Sequence, residues 1–535
     1  MKQTVFSVIL VLIAAAAWAA PPSVTDGPHN LGVAGPGRKA ASEQQLCIPC
    51  HAPHVTVAVK PLWDTDSPPV RGKLMAARAG DAGPGQPTGV SKLCLSCHDG
   101  TIATMNMVAR GQPVQMAERM TTVSRGKPRA GTDLADDHPV SFRFDAALSA
   151  KHNWLREPPS PAGDVKLDAG DELQCTTCHD PHDNGRGKFL VVANGNSELC
   201  NTCHQVGPTT VEHHQQCLGC HQNHTAPSGS RLLRQATITG TCTTCHGAGT
   251  TPPQGPNIAA EIRKFANHDT NPPIDLTSHA PGDSACSDCH DPHTMRTALA
   301  TAPSIRGNFG QVAGISARGM PVHPAKYEYE VCFRCHADKQ DLEPVVSRVI
   351  HQTNMRLKLS TSAVSFHPVE GRGTNLSVPS LRPGLTTAST IYCTDCHSSD
   401  SGRKAGGSGA SGPHGSENTG LLIDRYELGD YTSEGSQTYA LCYRCHDRNS
   451  ILSNQSFKLH AIHIVTSKTT CSTCHDPHGI SSAQGTPLHN RFLINFDVRI
   501  VLKSAVGKRE FSSLGVRSGT CTLKCHGVDH IGFQY

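Results

Sequence analysis

The cysteines of this 535-residue chain come in pairs, and a histidine directly follows every pair. Eleven times the spacing is Cys-x-x-Cys-His, and once, near the C-terminus, it is Cys-x-x-x-Cys-His. Two thiols at this spacing can form thioethers with the two vinyl groups on one edge of a porphyrin, while the adjacent imidazole ligates the iron. Because all 24 cysteines are used in this way, the pattern predicts twelve covalent c-type haems.

We number the motifs 1 to 12 in chain order. The predicted haem-binding thioether cysteines are, motif by motif, Cys47 and Cys50, Cys94 and Cys97, Cys175 and Cys178, Cys200 and Cys203, Cys217 and Cys220, Cys242 and Cys245, Cys286 and Cys289, Cys332 and Cys335, Cys393 and Cys396, Cys442 and Cys445, Cys471 and Cys474, and Cys521 and Cys525. The predicted proximal iron ligands are His51, His98, His179, His204, His221, His246, His290, His336, His397, His446, His475 and His526.

Two other uses of paired cysteines fit less well. A zinc ribbon needs a second pair of ligands for each metal and gives no reason for a histidine after every pair. A disulfide framework would not produce twelve repeats of nearly one spacing with no cysteine left over. We therefore expect neither zinc sites nor disulfides.

The N-terminus and the charge indicate where such a protein works. Residues 1–19 resemble a secretory signal, with Lys2, an apolar stretch and the small-x-small site Ala17-Trp18-Ala19. No later stretch is apolar enough to suggest a transmembrane span, and no cysteine near the cleavage site suggests a lipid anchor. The formal charge of +4 omits two propionates per haem, so the holoprotein is expected to be anionic and nucleic acid is excluded as a partner.

The segments between the motifs predict a loop-rich fold of mainly short α-helices with minor β structure. The hydrophobic fraction is 37% and the aromatic fraction 4%, which is little apolar surface for a chain of this length. We expect the polypeptide to wrap around a stack of the twelve haems, which supply the missing core. Helical spacing marks 257–267 and 343–359, alternation over 492–500 predicts a strand, and a minor hairpin is expected near the last haem. A boundary near residue 300 divides a seven-haem region, 20–300, from a five-haem region, 301–535.

Several sequences around the motifs are similar to those of a known family. They are CTTCHDPH followed by CNTCH, CLSCHDGT, DHPVSF at 137–142, and KYEYEVCFRCH at 326–336. They resemble the doubled-CxxCH multihaem cytochromes c of metal-respiring bacteria. The resemblance implies bis-histidine haems in alternating stacked and T-shaped contact, forming a path for electrons in periplasmic carriers, outer-membrane conduits or extracellular filaments. Motif 12, Cys-x-x-x-Cys-His, departs from the common pattern.

The distal iron ligands must come from the other 20 of the 32 histidines. Five of them follow a motif histidine by three residues and are expected to ligate a neighbouring haem, since they cannot easily reach the far face of their own. Four are isolated beside proline or glycine. His214, His279 and His463 complete the set but compete with His213, His268 and His460, and His323, His351 and His530 are alternatives. The predicted distal ligands are His29, His54, His138, His182, His214, His224, His279, His293, His367, His414, His463 and His478.

The leading functional hypothesis is a non-enzymatic electron-transfer protein, because enough imidazoles exist to saturate every iron. Its electrons would move in the periplasm, or at the outer membrane or outside the cell, to acceptors such as metals. Expected partners are other redox proteins, including further cytochromes and an outer-membrane β-barrel. Two alternatives stay open: a multihaem reductase with one open haem for nitrite, hydroxylamine or a sulfur oxyanion, and a subunit of a polymeric cytochrome filament.

Overall fold

A computed structural model describes residues 24–30, 47, 51, 86–98, 107–109, 112–114, 134–207, 209–228, 231–248, 256–268, 285–338 and 345–535. The signal segment 1–19, Cys50, His54 and His279 lie outside the described residues. Within the described part, no helix is long and apolar enough to cross a membrane.

The chain divides into two units. The first contains residues 1–205 together with 221–232, and the second contains 206–220 together with 233–535. Each unit is therefore built from two stretches of chain, and motif 5 contributes to both. The division near residue 300 stays a prediction.

The helices are short, and many of them coincide with a motif. Polar caps start several of those that do not: Asp145 accepts a hydrogen bond from the Leu148 amide at 3.0 Å, and Asn257 accepts one from Ala260 at 3.1 Å. The helices are α1 (Gly89–His98), α2 (Ala146–Lys151), α3 (Cys175–Cys178), α4 (Glu198–Cys203), α5 (Cys217–Cys220), α6 (Ile238–His246), α7 (Ile258–Glu261), α8 (Cys286–Cys289), α9 (Glu328–His336), α10 (Met355–Lys358), α11 (Ala440–Tyr443), α12 (Arg448–Leu452) and α13 (Cys471–Cys474).

Three two-residue ladders, β3 with β4, β5 with β9 and β8 with β10, join separate parts of the described chain, and a four-stranded antiparallel sheet (β11–β14) lies at the C-terminal end. The strands are β1 (Met107–Ala109), β2 (Gln112–Val114), β3 (Phe142–Arg143), β4 (Glu172–Leu173), β5 (Ala266–Asn267), β6 (Gly314–Ile315), β7 (Pro321–Val322), β8 (Ser365–Phe366), β9 (Gly415–Ser416), β10 (Gly479–Ile480), β11 (Val501–Leu502), β12 (Glu510–Gly515), β13 (Ser518–Cys525) and β14 (Val528–Gln534). The expectation of a loop-rich chain with short helices and minor β structure is confirmed.

The apolar core is divided into small clusters. One joins Tyr329 and Phe333 of α9 to Leu359 and Val369, and another packs Phe496 and its neighbours under the C-terminal sheet. Clusters of this size bury little apolar surface for a chain of this length, as the composition suggested.

Some local predictions were wrong. The helix expected over 257–267 ends at Glu261, and only Met355–Lys358 of the helix expected over 343–359 forms. The strand expected over 492–500 is a turn followed by irregular chain. Phe492 has a left-handed φ of 62°, because its carbonyl oxygen turns toward the Nδ1 atom of His475, 2.9 Å away.

Candidate haem sites

The odd-numbered motifs from 3 to 11 share one local structure. Their cysteines lie on a single helical turn, for example α3, and the motif histidine leaves it in an extended conformation. A later segment then returns and offers a backbone carbonyl to the histidine Nδ1 atom. The five acceptors are Lys188 for His179 at 2.9 Å, Arg231 for His221 at 3.2 Å, Asn308 for His290 at 2.8 Å, Gly420 for His397 at 2.8 Å and Phe492 for His475 at 2.9 Å.

The even-numbered motifs 2, 6 and 8 are built differently. They end longer helices, α1, α6 and α9, whose last residue is the motif histidine itself. Acidic residues in the first turn of α9 and basic residues in its last turn match the polarity of the helix dipole. The two local structures therefore alternate over motifs 5 to 9, whereas in motif 4 the histidine His204 leaves α4 in an extended conformation and in motif 10 the helix α11 ends at Tyr443.

Among the described residues, ten motif histidines face a second histidine that lies outside the motifs. The ring centroids of these pairs are 5.9–6.5 Å apart. The pairs are His29 with His98, His51 with His182, His138 with His204, His179 with His224, His214 with His246, His268 with His336, His290 with His414, His367 with His446, His397 with His478, and His460 with His475.

This spacing fits a metal held between two imidazoles. An imidazole nitrogen binds a metal at about 2 Å, so two rings that share one metal have centroids roughly 6 Å apart. Direct ring stacking would instead bring aromatic centroids closer, as for His29 against Phe189 at 4.3 Å. The paired rings thus leave room for an iron, and the residues present fit axial ligation of haem.

Hydrogen bonding and burial keep these imidazoles in the form that binds metal. A ring that donates its Nδ1 proton to a carbonyl has its Nε2 lone pair free for iron. Burial also lowers the pKa of His204 and His414 to about 4 each, and of His460 to about 3. Neutral imidazole is the ligating form, so the sites are prepared for a metal at neutral pH.

Within the part of the chain that the structure describes, eight of the predicted distal histidines face a motif histidine: His29, His138, His182, His214, His224, His367, His414 and His478. At two other motifs, the histidine that faces the motif histidine is one of the alternative candidates from the sequence. His268 faces His336, and His460 rather than His463 faces His475. The Nδ1 atom of His463 bonds to the Leu459 carbonyl at 2.8 Å. No local sequence signal separates His460 from His463.

The thiols of successive motifs lie close together. In the first unit, Cys94 of motif 2 is hydrogen-bonded to Cys175 of motif 3, and this bond lowers the pKa of Cys175 to about 7. Cys178 of motif 3 lies near Cys203 of motif 4. Its burial, and to a smaller extent the nearby Cys203 thiol, raise the pKa of Cys178 to about 12. In the second unit, thiols in hydrogen-bonding contact join motifs 6 and 7, 8 and 9, and 10 and 11, through Cys242 and Cys286, Cys332 and Cys393, and Cys442 and Cys471.

In the other successive motifs of the second unit, the thiols of one motif lie near those of the next but less closely. In each of them, burial and then a thiol of the next motif raise a cysteine's pKa. The pairs are Cys220 with Cys245, Cys289 with Cys332, Cys396 with Cys445, and Cys474 with Cys525. Motifs 5 to 12 therefore follow one another in space in the order of the sequence, and close and loose steps alternate.

Motif 12 differs from the other motifs. Its cysteines lie on strand β13 instead of a helical turn, and an extended strand separates positions four residues apart by about 13 Å. The Nε2 atom of His526 lies 2.9 Å from the Asp430 carboxylate, and the Tyr431 ring stacks on it at 4.6 Å. Among the described residues, no ring contact pairs His526 with a second imidazole.

The paired motifs and opposed imidazoles are the arrangement expected of a multihaem c-type cytochrome. Two family models match it. Residues 315–490 match "Outer membrane cytochrome MtrC/MtrF-like, domains II/IV", and residues 168–208 match "Doubled CXXCH motif". Both matches support the multihaem c-type cytochrome family, with haem bound covalently by the doubled motifs. No curated protein matches the chain.

Proposed function

We propose that this protein moves electrons along a row of twelve covalent haems, most of them held between two histidines. The observation that carries the proposal is the set of ten imidazole pairs at 5.9–6.5 Å. Haem iron supplies one-electron exchange between its ferric and ferrous states. When both axial positions are filled by protein, no position stays open for a substrate, and this favours electron transfer over catalysis.

The protein's own residues position the row. The cysteines would hold each haem covalently, and the motif histidine and a distal histidine from another segment would ligate its iron. The thiol contacts between successive motifs support a path that follows motifs 5 to 12 in order. A linear path of this kind suits transfer over a distance.

The family match supports a place of work at or outside the outer membrane. The matched model describes outer-membrane cytochromes, and this supports a protein exported by its N-terminal segment to the periplasm, the outer membrane or the cell exterior. Its partners would be other redox proteins, including further cytochromes and an outer-membrane β-barrel, and its acceptors would include metals.

Electron paramagnetic resonance of the oxidised full-length protein tests this proposal. We expect essentially all of the iron to be low-spin, and stepwise reduction to consume twelve electrons. A dominant high-spin signal would contradict bis-histidine ligation. Rapid mixing of the reduced protein with a soluble ferric chelate should reoxidise every haem, whereas a fraction that stays reduced would contradict a continuous path.

One observation favours a second function, a reductase, at motif 12. His526 faces Asp430 and not another imidazole among the described residues. A haem with one open position there would bind nitrite, hydroxylamine or a sulfur oxyanion. A high-spin signal of one iron that changes on adding nitrite, together with catalytic turnover, would support the reductase, and an unchanged spectrum would exclude it.

A further inference from the structure

The distal histidines occur in neighbouring pairs. The Nδ1 atom of His29 lies 3.2 Å from the carbonyl oxygen of Pro181, the residue before His182. In the same way, Nδ1 of His268 lies 2.9 Å from the carbonyl oxygen of Pro413, the residue before His414. Each pair thus joins a histidine from one segment to the residue before a histidine of a much later segment.

Two more pairs also join an earlier histidine to the residue before a later one, through a ring nitrogen in one pair and a backbone amide in the other. His367 bonds through Nδ1 to the carbonyl of Pro477, before His478, and the antiparallel ladder of β8 and β10 extends this contact. The backbone amide of His138 donates to the carbonyl of Asn223, before His224, at 2.8 Å. The contacts involve backbone, so they fix the two histidines relative to each other.

Each pair serves two consecutive motifs. The earlier histidine of a pair faces the even-numbered motif, and the later histidine faces the odd-numbered motif just before it. His29 and His182 face motifs 2 and 1, His138 and His224 face motifs 4 and 3, His268 and His414 face motifs 8 and 7, and His367 and His478 face motifs 10 and 9. The repeating unit is therefore two motifs long.

A fifth pair, His214 and His293, is built on the same plan. His214 faces His246 of motif 6 at 6.3 Å. The carbonyl of Pro292, the residue before His293, lies beside the His214 ring, and the Thr297 amide donates to the Thr210 hydroxyl at 3.3 Å. Backbone contacts align the two segments, since the Thr210 amide donates to the Met295 carbonyl at 3.0 Å.

His293 also has the local conformation of two odd-motif ligands. Its amide donates to the carboxylate of Asp291, two residues earlier, at 3.1 Å. The amides of His182 and His478 make the same bond to aspartates two residues earlier, at 2.9 and 3.2 Å. His182 and His478 both face motif histidines two motifs back, those of motifs 1 and 9.

We propose that His293 is the distal ligand of the haem carried by Cys217 and Cys220 of motif 5. This assignment rests on the proposed bis-histidine function. Motif 7, whose cysteines are nearest to His293 in sequence, already has a partner, because His290 faces His414 at 6.1 Å. With this assignment, the same rule gives the distal ligands of motifs 1 to 10: each neighbouring pair of histidines serves two consecutive motifs.

The test is the variant His293→Ala in the full-length oxidised protein. We expect one iron to become high-spin while all haems stay attached. In that background, Cys217→Ala with Cys220→Ala should abolish the new signal, whereas Cys286→Ala with Cys289→Ala should preserve it. The matched control is His213→Ala, because His213 is exposed and adjacent to His214. It should leave the iron low-spin.

A second measurement does not need the cysteine variants. Peroxide degrades open haems first, and cleavage after Glu212 and Arg231 releases residues 213–231 with motif 5 alone. In His293→Ala, the haem of this peptide should be lost first. Loss from the peptide that carries Cys286, or a spectrum that stays low-spin, would overturn the assignment. If the unchanged protein is already mostly high-spin, the proposed function fails instead.

Discussion

The buried carboxylate of Asp137 provides the sharpest test of the ligand geometry. Its Oδ1 atom accepts a hydrogen bond from Nδ1 of His224 at 2.9 Å, and the Asp137 side chain is 5% exposed. His224 faces His179 of motif 3 at 6.2 Å. A negative charge in this position stabilises ferric iron over ferrous iron, so it lowers the reduction potential of that haem.

The magnitude follows from the distances. The carboxylate oxygen is about 7 Å from a metal bound to the far nitrogen of the His224 ring, taking a metal–nitrogen bond of about 2 Å. At an effective dielectric constant of about 20, the interaction is about 2.4 kcal/mol. For a one-electron couple this corresponds to about 100 mV. We therefore expect Asp137→Asn to raise the potential of one haem by about 100 mV.

The assay is a spectroelectrochemical titration of the full-length protein and its variants. The matched control is Asp180→Asn, because the Asp180 carboxylate lies 3.3 Å from Nδ1 of His182 but is 47% exposed. Screening by water reduces that interaction to about 0.6 kcal/mol, or roughly 25 mV. The reasoning would be refuted if Asp137→Asn shifted no component, or if both variants gave the same shift.

Further predictions concern cofactor content, ligation and stability. The intact mass of the exported protein should equal the chain from Ala20 plus twelve haems, and a mass with eleven would show that motif 12 is not used. His182→Ala should make one iron high-spin with every haem still attached, since thioether formation at Cys175 and Cys178 does not use His182; a fully low-spin spectrum would contradict its ligation of motif 1. His460→Ala should make the motif 11 iron high-spin because its ring faces His475 at 6.5 Å, and an unchanged signal would favour His463 as the ligand. The Lys358 ammonium lies 2.7 Å from the buried Asp476 carboxylate, so Lys358→Met leaves that carboxylate without its cationic partner. We expect the free energy of unfolding in chemical denaturation to fall by about 3–5 kcal/mol, and a loss below about 1 kcal/mol would contradict this.

The sequence alone determined what depends on neighbouring residues. Two cysteines and a histidine within five or six positions specify thioether attachment and the proximal ligand, whatever surrounds them. The low apolar content and the loop signals between the motifs likewise predicted a loop-rich fold of short helices. Alternation over 492–500 misled the strand prediction, because the left-handed Phe492 serves a contact with His475 that lies seventeen residues away.

Tertiary structure decided which histidine faces which motif. His213 and His214 are adjacent, and His460 and His463 are one turn apart, yet only His214 and His460 are brought opposite a motif histidine among these four. Their partners, His246 and His475, are held by separate helices. A distal ligand is a contact between separate segments of the chain, so it depends on how the backbone folds back, and no local spacing encodes it.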